Sequence, residues 1–350
     1  VSYSRRVTNV MSKAGGSPVT GVLYENDQLD QVQIPPPKSV NHETRTSIFD
    51  SEIRWLAVLV LCYLHAAGLY GLYLAVTSAK LKTTVFAFIM YLVGQMGMTA
   101  GTHRLFAHRS YKAKWQLRLL LMLMETSAFQ GGIFQWVRDH RVHHKYSETD
   151  ADPHNATRGC FFSHVGWIIL RRHPEVTEKA KRLDLSDLIE DPIVWFQKKH
   201  YWTMMPIMCI VLPTVIPVYF WGETWINAYH VASMLRLILI GNSSSLVNSL
   251  AHSYGNKPYD RNINPTENKF ASIMALGEGW HNYHHTFPWD YKASELGFYK
   301  FNLATAFIDF FAKIGWAYDL KTVSKDMIEK RVKRTGDASH PISGLDDKRL

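Results

Sequence analysis

The sequence predicts an all-α integral membrane protein: four transmembrane helices and a cytosolic helical cap that carries a histidine-rich site for two metal ions. Four apolar runs approach the ~20 residues that a helix needs to cross a hydrocarbon core of ~30 Å. Eight histidines also fall into three tight clusters, and one zinc ion usually takes only three or four protein ligands. The runs predict the membrane helices, and the clusters predict the dimetal site.

The four apolar runs do not support a membrane span equally well. The first contains no charged residue, and tryptophan or tyrosine lies near the ends of several runs, as in interfacial belts. The alternative is that the runs are buried helices of a soluble α protein, which a mean hydropathy of −0.14 does not exclude. We favour four spans, at residues 55–76, 84–100, 204–221 and 231–250.

The third and fourth runs carry residues that are unusual in a bilayer. Three prolines interrupt the third run, which a membrane helix tolerates better than an exposed soluble helix. Arg236 lies inside the fourth run, where a charge is costly unless it faces a site or reaches the interface. Ser245, Asn248 and His252 follow at spacings of i, i+3 and i+7, which predicts a polar stripe with a functional role.

The distribution of basic residues predicts the topology. Sixteen lysines and arginines lie from Arg104 to Lys199, whereas residues 222–228 contain none. Basic loops stay in the cytosol, and two spans between the second and third histidine clusters return the chain to the same side. We expect both termini and all three clusters to be cytosolic.

The spacing of the histidines predicts how they converge. The second cluster is His140-Arg-Val-His143-His144 and the third is His281-Asn-Tyr-His284-His285. Residues at i, i+3 and i+4 share one helix face, so each cluster can aim three imidazoles in one direction. His103 and His108 lie about 140° apart on a regular α-helix. They therefore need a helix end or a local π-like turn to meet.

Composition limits the other classes. The net charge of +9 favours anionic partners, but no nucleic-acid-binding motif is present, so lipid head groups or a phosphate-bearing substrate fit better. Three scattered cysteines suggest neither disulfides nor a thiolate zinc site. We divide the chain into a polar, mobile cytosolic arm (1–50), a membrane domain (51–320) and a charged tail (321–350) that is solvated or faces lipid.

Ligand type alone leaves the metal open. An all-nitrogen site suits iron, zinc or copper. Two irons reached through a membrane suggest O2 activation against a lipid chain. Two zincs suggest hydrolysis, for which Asp139 and Glu278 are available as carboxylate bases.

Three motifs resemble those of the membrane acyl-CoA desaturases, most closely the insect branch, over roughly residues 50–335. They are the His103–His108 cluster, the segment from Trp136 through the second cluster to Asp-Ala-Asp152-Pro-His154, and Gly277-Glu-Gly-Trp-His281-Asn-Tyr-His284-His285. Asn248-Ser-Leu-Ala-His252 is similar to the segment that carries the family's ninth histidine. The resemblance implies that the nine histidines bind two Fe2+ ions, with Asn248 contacting one of them through water.

The resemblance also implies the reaction and its partners. O2 and two electrons would remove two hydrogens from adjacent methylenes of a fatty acyl-CoA, in the endoplasmic reticulum membrane. Because no haem-binding His-Pro-Gly-Gly is present in the sequence, the implied electron donor is a separate cytochrome b5 with its reductase. A basic surface is compatible with an acidic donor.

The resemblance implies several substrate contacts. It assigns Arg138 and Asp139 to the polar part of acyl-CoA, and Arg171 and Arg172 to its phosphates. Guanidinium groups suit phosphate, although lipid contact is the alternative for these two arginines. The remaining implied positions are the wall of a bent acyl tunnel at Trp136 and its closed end at Tyr91 and Gln95.

Two departures from the family pattern bear on specificity. Ser244-Ser245 replace a Thr-Trp pair, and Ile53-Arg54-Trp55 stands where Trp-Arg-Asn is usual. The small Ser245 predicts a reshaped tunnel, so the bond position is left open, with carbon 9 as one possibility. A fatty acyl hydroxylase, a catalytically silent lipid-binding homologue and a soluble zinc hydrolase remain the competing interpretations.

Overall fold

The computed structural model describes residues 52–295 and 301–343, and these residues are mostly helical, as predicted. The predicted N-terminal arm lies outside the described residues. Two two-residue strands, β1 (Lys112–Ala113) and β2 (Ala317–Tyr318), pair antiparallel. The α-helices are α1 (Trp55–Thr77), α2 (Leu81–Met96), α3 (Trp115–Thr126), α4 (Ile133–Tyr146), α5 (Trp167–Ile169), α6 (Pro174–Lys181), α7 (Ser186–Glu190), α8 (Pro192–Pro206), α9 (Leu212–Trp221), α10 (Trp225–Asn227), α11 (Arg236–Ser249), α12 (Lys269–Met274), α13 (His281–Thr286), α14 (Leu303–Lys313) and α15 (Lys325–Thr335).

Wider and tighter helical segments interrupt or extend these helices. A π-helix bonds residues five apart and a 3₁₀-helix bonds residues three apart. The π segments are Gly97–Ala107, Phe162–Gly166, Ile207–Val211 and Ala228–Leu235, and the 3₁₀ segments are Ala156–Arg158 and Leu250–His252. The first π segment continues α2, the third joins α8 to α9, and the fourth joins α10 to α11, so several short elements form longer continuous helices.

Three continuous helices within the described residues are long and apolar enough to cross a membrane: Trp55–Thr77, Leu81–Ala107 and Pro192–Trp221. They coincide with the first three predicted spans, although the second and third are longer than predicted. Pro206 ends α8 and lies directly before the π segment Ile207–Val211, and membrane helices tolerate such prolines because local changes of bonding can satisfy the freed carbonyl groups. A proline-interrupted helix therefore remains continuous here.

The fourth predicted span is helical but is not among these three helices. Arg236 lowers its hydropathy, and this side chain is fully buried. Its guanidinium donates to the carbonyl oxygens of Ala232 (3.1 Å), Ser127 (2.6 Å) and Cys209 (2.8 Å). Because these bonds replace the hydration of the charge, Arg236 can face the protein interior. The crossing of the membrane by this helix stays a prediction.

The fourth run packs closely against the first helix. A Cβ added at Gly71 of α1 would lie 2.1 Å from the carbonyl oxygen of His230. Small residues let membrane helices approach backbone to backbone in this way.

The predicted polar stripe needs one correction, because α11 ends at Ser249 and His252 lies in the following 3₁₀ segment. His252 therefore does not continue the helical face of Ser245 and Asn248.

The histidine-bearing part is built around the π segment Gly97–Ala107. α3 and α4 pack against it, with a core that includes Leu117, Leu121 and Val137. Gly97 allows the close approach of α3, since a Cβ there would lie 2.3 Å from the backbone nitrogen of Glu125. This packing brings the end of the second apolar helix against the middle of α4, where Arg141 donates to the carbonyl oxygens of Phe106 and Ala107.

The tail that was predicted to be solvated or lipid-facing has one buried face in its described part, while most of its side chains are exposed. Residues 325–335 form α15, and Ile328 and Val332 on one face of this helix are buried. They pack against an aromatic layer that includes Tyr283 and Trp289. The segment is an amphipathic helix whose buried apolar residues are four apart, a pattern that its many charged residues made difficult to recognise in the sequence.

Candidate metal centre

The first histidine pair converges through the π segment Gly97–Ala107. The N–H of His108 donates to the carbonyl oxygen of His103 at 3.1 Å, a bond that spans five residues. Because such bonding places residues five apart nearly above each other, the two rings meet with centroids 4.8 Å apart. The predicted local π-like turn is confirmed.

The second and third clusters lie on the helices α4 and α13. Together with the first pair and His252, they form two groups of imidazoles whose nearest nitrogens lie within 4.8 Å of one another. The five-histidine group consists of His103, His108, His140, His144 and His284, and the four-histidine group consists of His143, His252, His281 and His285. All nine sequence-predicted histidines are thus brought together.

Each three-histidine cluster divides between the two groups, which corrects the expectation that its three imidazoles point in one direction. His140 and His144, one turn apart, join the five-histidine group, whereas His143 joins the other. On α13 the i, i+4 pair His281 and His285 joins the four-histidine group. An α-helix turns 100° per residue, so neighbouring residues such as His143 and His144 point in different directions and reach different groups.

The spacing of the ring nitrogens fits metal coordination in both groups. In the five-histidine group, Nε2 of His284 lies 3.0 Å from that of His103 and 3.1 Å from that of His144. In the four-histidine group, Nε2 of His281 lies 2.9 Å from that of His252 and 3.1 Å from that of His285. Two ligands at right angles, each at the Zn–N distance of ~2.1 Å, would lie about 3.0 Å apart.

The tautomers implied by neighbouring carboxylates support the same interpretation. Nδ1 of His143 lies 2.8 Å from Asp152, and Nδ1 of His252 lies 2.8 Å from Glu148. A carboxylate beside Nδ1 favours a proton there, which leaves the Nε2 lone pair free for a cation. Lone pairs that face one another across about 3 Å repel unless a cation lies between them.

Burial keeps most of these rings neutral. Desolvation, together with neighbouring imidazoles, lowers the pKa of His140, His144, His281, His284 and His285 well below the usual value for histidine. Neutral imidazole is the form that binds a metal ion. The cluster is therefore poised for coordination and poorly suited to holding several protons.

The two groups form one site. The rings of His144 and His285, one from each group, stack with centroids 4.2 Å apart and an interplanar angle of 13°. His143 and His144 are also sequence neighbours, so one turn of α4 contributes to both groups. This adjacency fits two metal ions within one centre.

A buried carboxylate joins the first and third motifs. Glu278 Oε2 lies 2.9 Å from His103 Nδ1, and Glu278 Oε1 accepts a hydrogen bond of 2.9 Å from Arg104 Nε. Burial opposes ionisation of Glu278, but Arg104 and His103 outweigh it and lower its pKa to about 2. The remaining donors of Arg104 contact the following groups: the carbonyl oxygens of Tyr291 and Lys292, Thr305 Oγ1 and Asn302 Oδ1.

The two carboxylates considered for hydrolysis are both engaged in ion pairs. Glu278 is bound by Arg104, and Asp139 is bound by Arg138 and Arg172. A general base must be able to reach the water that it deprotonates. Carboxylates held by guanidinium groups are poor candidates, so the geometry disfavours the two-zinc hydrolase.

The predicted contacts to the polar part of the substrate divide into two environments. Asp139 accepts from Arg138 Nε at 2.9 Å and from Arg172 Nη1 at 2.9 Å, which joins the start of the second motif to the chain before α6. Arg171 instead pairs with Glu52 at 2.6 Å, and both of those side chains are exposed. The structure therefore brings Arg172, but not Arg171, into the pair predicted at residues 138 and 139.

The residues predicted to line the acyl tunnel lie close to one another, since Trp136 packs against the hydrophobic cluster that contains Tyr91. Trp136 is half-buried and stacks on His140, with centroids 4.7 Å apart. Tyr91 and Gln95 are buried one turn apart in α2, and both donate to the carbonyl oxygen of Met274. Met274 ends α12, shortly before the third histidine motif.

The predicted roles of Asn248 and Ser245 remain untested. Asn248 is half-buried in α11, one turn before His252, and Ser245 is buried on the same helix. Ser249, four residues after Ser245, contacts His164 Nδ1 at 2.9 Å. The face of α11 that bears Ser245 and Ser249 therefore lies near the π segment Phe162–Gly166.

Sequence reasoning missed the carboxylates that orient the histidines. Glu148 and Asp152 lie four and eight residues beyond His144, within the motif that carried the resemblance, yet neither was assigned a role. Asp152 also accepts from the backbone N–H groups of Glu148 and His154, both at 3.0 Å. Metal-bound histidines commonly pair with carboxylates, so acidic residues just beyond a histidine cluster were the available signal.

Comparison with known proteins agrees with this geometry. The fatty acid desaturase family model matches residues 80–319. The chain is 58% identical to an acyl-CoA Delta-9 desaturase of Acheta domesticus, over 94% of this chain and 92% of that protein. It is 54% identical to an acyl-CoA Delta12-desaturase of the same species (95% and 93% covered) and 56% identical to an acyl-CoA Delta(11) desaturase of Spodoptera littoralis (85% and 87%).

Proposed function

The chain belongs to the fatty acid desaturase family and is an acyl-CoA desaturase, and we propose that its nine histidines hold two iron ions at the site of the reaction. The observation that carries this proposal is the pair of adjacent imidazole groups, with Nε2 atoms about 3 Å apart in each. Imidazole nitrogen suits iron as well as zinc. Because desaturation consumes O2 and electrons, a redox-active metal fits where zinc does not.

The proposed reaction removes one hydrogen from each of two adjacent methylenes and leaves a carbon–carbon double bond. O2 takes up these two hydrogens, two electrons and two protons, and becomes two molecules of water. The bound irons supply the O2 activation and electron storage that no amino-acid side chain provides. The protein's task is to hold the acyl chain so that only one pair of methylenes lies beside the metals.

We propose that the acyl-CoA head group is held by the cluster of Arg138, Asp139 and Arg172. Asp139 fixes both guanidinium groups, and Arg172 Nη1 is 2.9 Å from one of its oxygens. Arg172 remains partly exposed at 37% of its side-chain surface, so its outer face is available for an anionic group. Guanidinium pairs strongly with phosphate. Arg171 is proposed as a weaker contact, because it is exposed and paired with Glu52.

We propose that the acyl chain passes Trp136 and ends near Tyr91 and Gln95. Trp136 lies against His140 and offers an apolar wall next to the metals. Gln95 is 1% exposed and is tied to the carbonyl oxygen of Met274 at 3.3 Å. A fixed, bulky side chain at the closed end of a channel limits the length of chain that fits.

The position of the double bond depends on where the chain bends, and similar proteins differ in their named positions. The three relatives are named for positions 9, 12 and 11. We propose that Ser245, which stands where the family usually has tryptophan, shapes the channel together with Trp136. The bond position is therefore a property to be measured, with carbon 9 as the starting hypothesis.

The proposed setting is the endoplasmic reticulum membrane, with cytochrome b5 and its reductase as the electron donor. Four crossings, including the helix with Arg236, would return all three histidine clusters to the cytosolic side, where the donor and acyl-CoA are found. The close packing at Gly71 against the backbone of His230 supports a fourth helix beside the first. Both termini would then lie in the cytosol.

Expression in a desaturase-deficient yeast tests the proposed function. The double bonds of the new fatty acids are located by mass spectrometry after derivatisation. We expect new mono-unsaturated acids with one predominant bond position. Hydroxylated acids, or no product across several supplied chain lengths with iron and donor present, would contradict the proposal.

A further inference from the structure

Several polar contacts fasten the helix α15 to the loop of residues 257–261. Besides the apolar contacts of Ile328 and Val332, polar contacts join the helix and the two residues after it to this loop. They are Arg331 Nη2 to Asp260 Oδ2 (2.5 Å), Thr335 Oγ1 to the Tyr259 carbonyl oxygen (2.7 Å), Arg261 N to the Thr335 carbonyl oxygen (2.8 Å) and Lys257 N to Asp337 Oδ2 (2.5 Å).

The inner side of the same loop is held by Asn282, which lies between His281 and Tyr283. The Asn282 side chain is fully buried. Its oxygen accepts from the N–H groups of Tyr259 (2.9 Å) and Asp260 (3.1 Å), and its nitrogen donates to the carbonyl oxygens of Asp260 and Pro265, both at 2.9 Å. Since all four bonds go to residues 259–265, a shift of the loop would move the third histidine motif.

Three of the four histidines of the four-histidine group lie before or after the 257–261 loop in the sequence. His252 precedes it by five residues, and His281 and His285 flank Asn282 on α13. The five-histidine group takes only His284 from this region. Loosening the loop therefore affects the four-histidine group more than the five-histidine group.

We propose that α15 is a strap that fixes the 257–261 loop and thereby sets how firmly the four-histidine group retains its metal ion. Arg331 and Thr335 are positioning residues, because they act through Asp260, Tyr259 and Asn282 rather than by contact with the metal. This inference rests on the proposed function, since it requires a metal ion in each group. Removing the partners of metal ligands typically lowers metal affinity 10- to 100-fold.

Arg331→Leu is the main test, and Lys330→Leu is its matched control. Lys330 lies next to Arg331 on the same helix but pairs with Asp326 on the exposed surface. The full-length proteins are purified with iron, and metal per chain is measured over time in a chelator. Because the side chain of Asp260 is buried, Arg331→Leu risks misfolding. The nearly isosteric Thr335→Val, which keeps the ion pair, is therefore measured in parallel.

We expect wild type and Lys330→Leu to hold two metals per chain, and Arg331→Leu to fall to one several-fold faster, with about tenfold as the upper limit because Arg331 does not bond a metal ligand directly. Thr335→Val should show the same loss of one metal at a smaller rate, and Arg331→Lys should lie between Arg331→Leu and wild type. A wild type with fewer than two metals would overturn the proposed function together with this inference. If wild type holds two, equal retention in Arg331→Leu and Lys330→Leu, or equal loss of both metals, would overturn the strap alone.

Discussion

Glu148 Oε1 lies 2.8 Å from Nδ1 of His252, so the loop after the second histidine motif orients the ninth histidine, which is more than a hundred residues away in the chain. Glu148 has a positive φ of 63°, a conformation that is uncommon for residues other than glycine. Its own N–H donates to Asp152 Oδ2 at 3.0 Å, and Asp152 faces His143. One loop thus orients two members of the four-histidine group.

We expect Glu148→Ala to weaken metal binding by the four-histidine group by 10- to 100-fold, as for other partners of metal ligands. His252 would lose the carboxylate that favours a proton on Nδ1. Glu148→Gln, which can still accept a hydrogen bond, should weaken binding less. The measurement is metal content after equilibration with graded chelator, and unchanged content in Glu148→Ala would contradict the assigned role.

The sequence predicted the chemical content of this centre better than its geometry. Clustering and helical spacing predicted eight of the histidines and the π-like turn between His103 and His108, whereas the ninth, His252, came only from the resemblance to the desaturase family. The division of His140, His143 and His144 between two groups was not predictable, because it depends on how α4 is rotated against α13. That rotation is determined by how α4 packs against the other elements that carry histidines, which the sequence of one cluster does not specify.

The fold shows the same limit at two other places. Apolar runs predicted four membrane helices, and three of them are long and apolar enough to cross a membrane. Arg236 lowers the hydropathy of the fourth, and two of its three carbonyl acceptors, Ser127 and Cys209, lie far from it in the sequence. The many charged residues of 325–335 likewise led the sequence analysis to miss that α15 has a buried face. Only two residues of this helix, Ile328 and Val332, are buried. In both cases tertiary contacts outweigh the local composition.

Gln95→Ala should lengthen the preferred acyl chain by about two methylene groups, because the truncation leaves a cavity of roughly that size. Gln95 is buried and tied to Met274, so its side chain is fixed in place. The measurement is the chain-length profile of products from mixed acyl-CoA substrates. Gln116→Ala, a half-buried position on α3, serves as control. An unchanged profile in Gln95→Ala would refute the role of this residue.

Arg172→Ala should raise KM for acyl-CoA by about tenfold or more, since a hydrogen bond to a charged group contributes ~1.5–3 kcal/mol. Arg171→Ala should have a smaller effect, because Arg171 is exposed and paired with Glu52. The effect of Arg172→Ala should vanish with an acyl-pantetheine thioester that lacks the nucleotide phosphates. Equal KM values for Arg172→Ala and wild type with acyl-CoA would contradict the proposed phosphate contact.

His144→Ala and His284→Ala should abolish activity and lower bound metal while leaving membrane insertion unchanged. The Nε2 atoms of these two residues lie 3.1 Å apart in the five-histidine group. Their loss removes metal ligands rather than residues of the apolar helices. Activity, metal content and carbonate-resistant membrane association are measured on the same preparations. Full activity in either variant would contradict the ligand assignment.

Iron per chain in the purified wild-type protein tests the central claim most directly. It is measured by elemental analysis, and desaturation is assayed on the same sample with reduced donor. We predict two iron atoms per chain, little zinc, and activity that falls in proportion as iron is removed and returns when ferrous iron is restored. A fully active protein with one iron or none, or one that is active with zinc in both groups, would contradict the account.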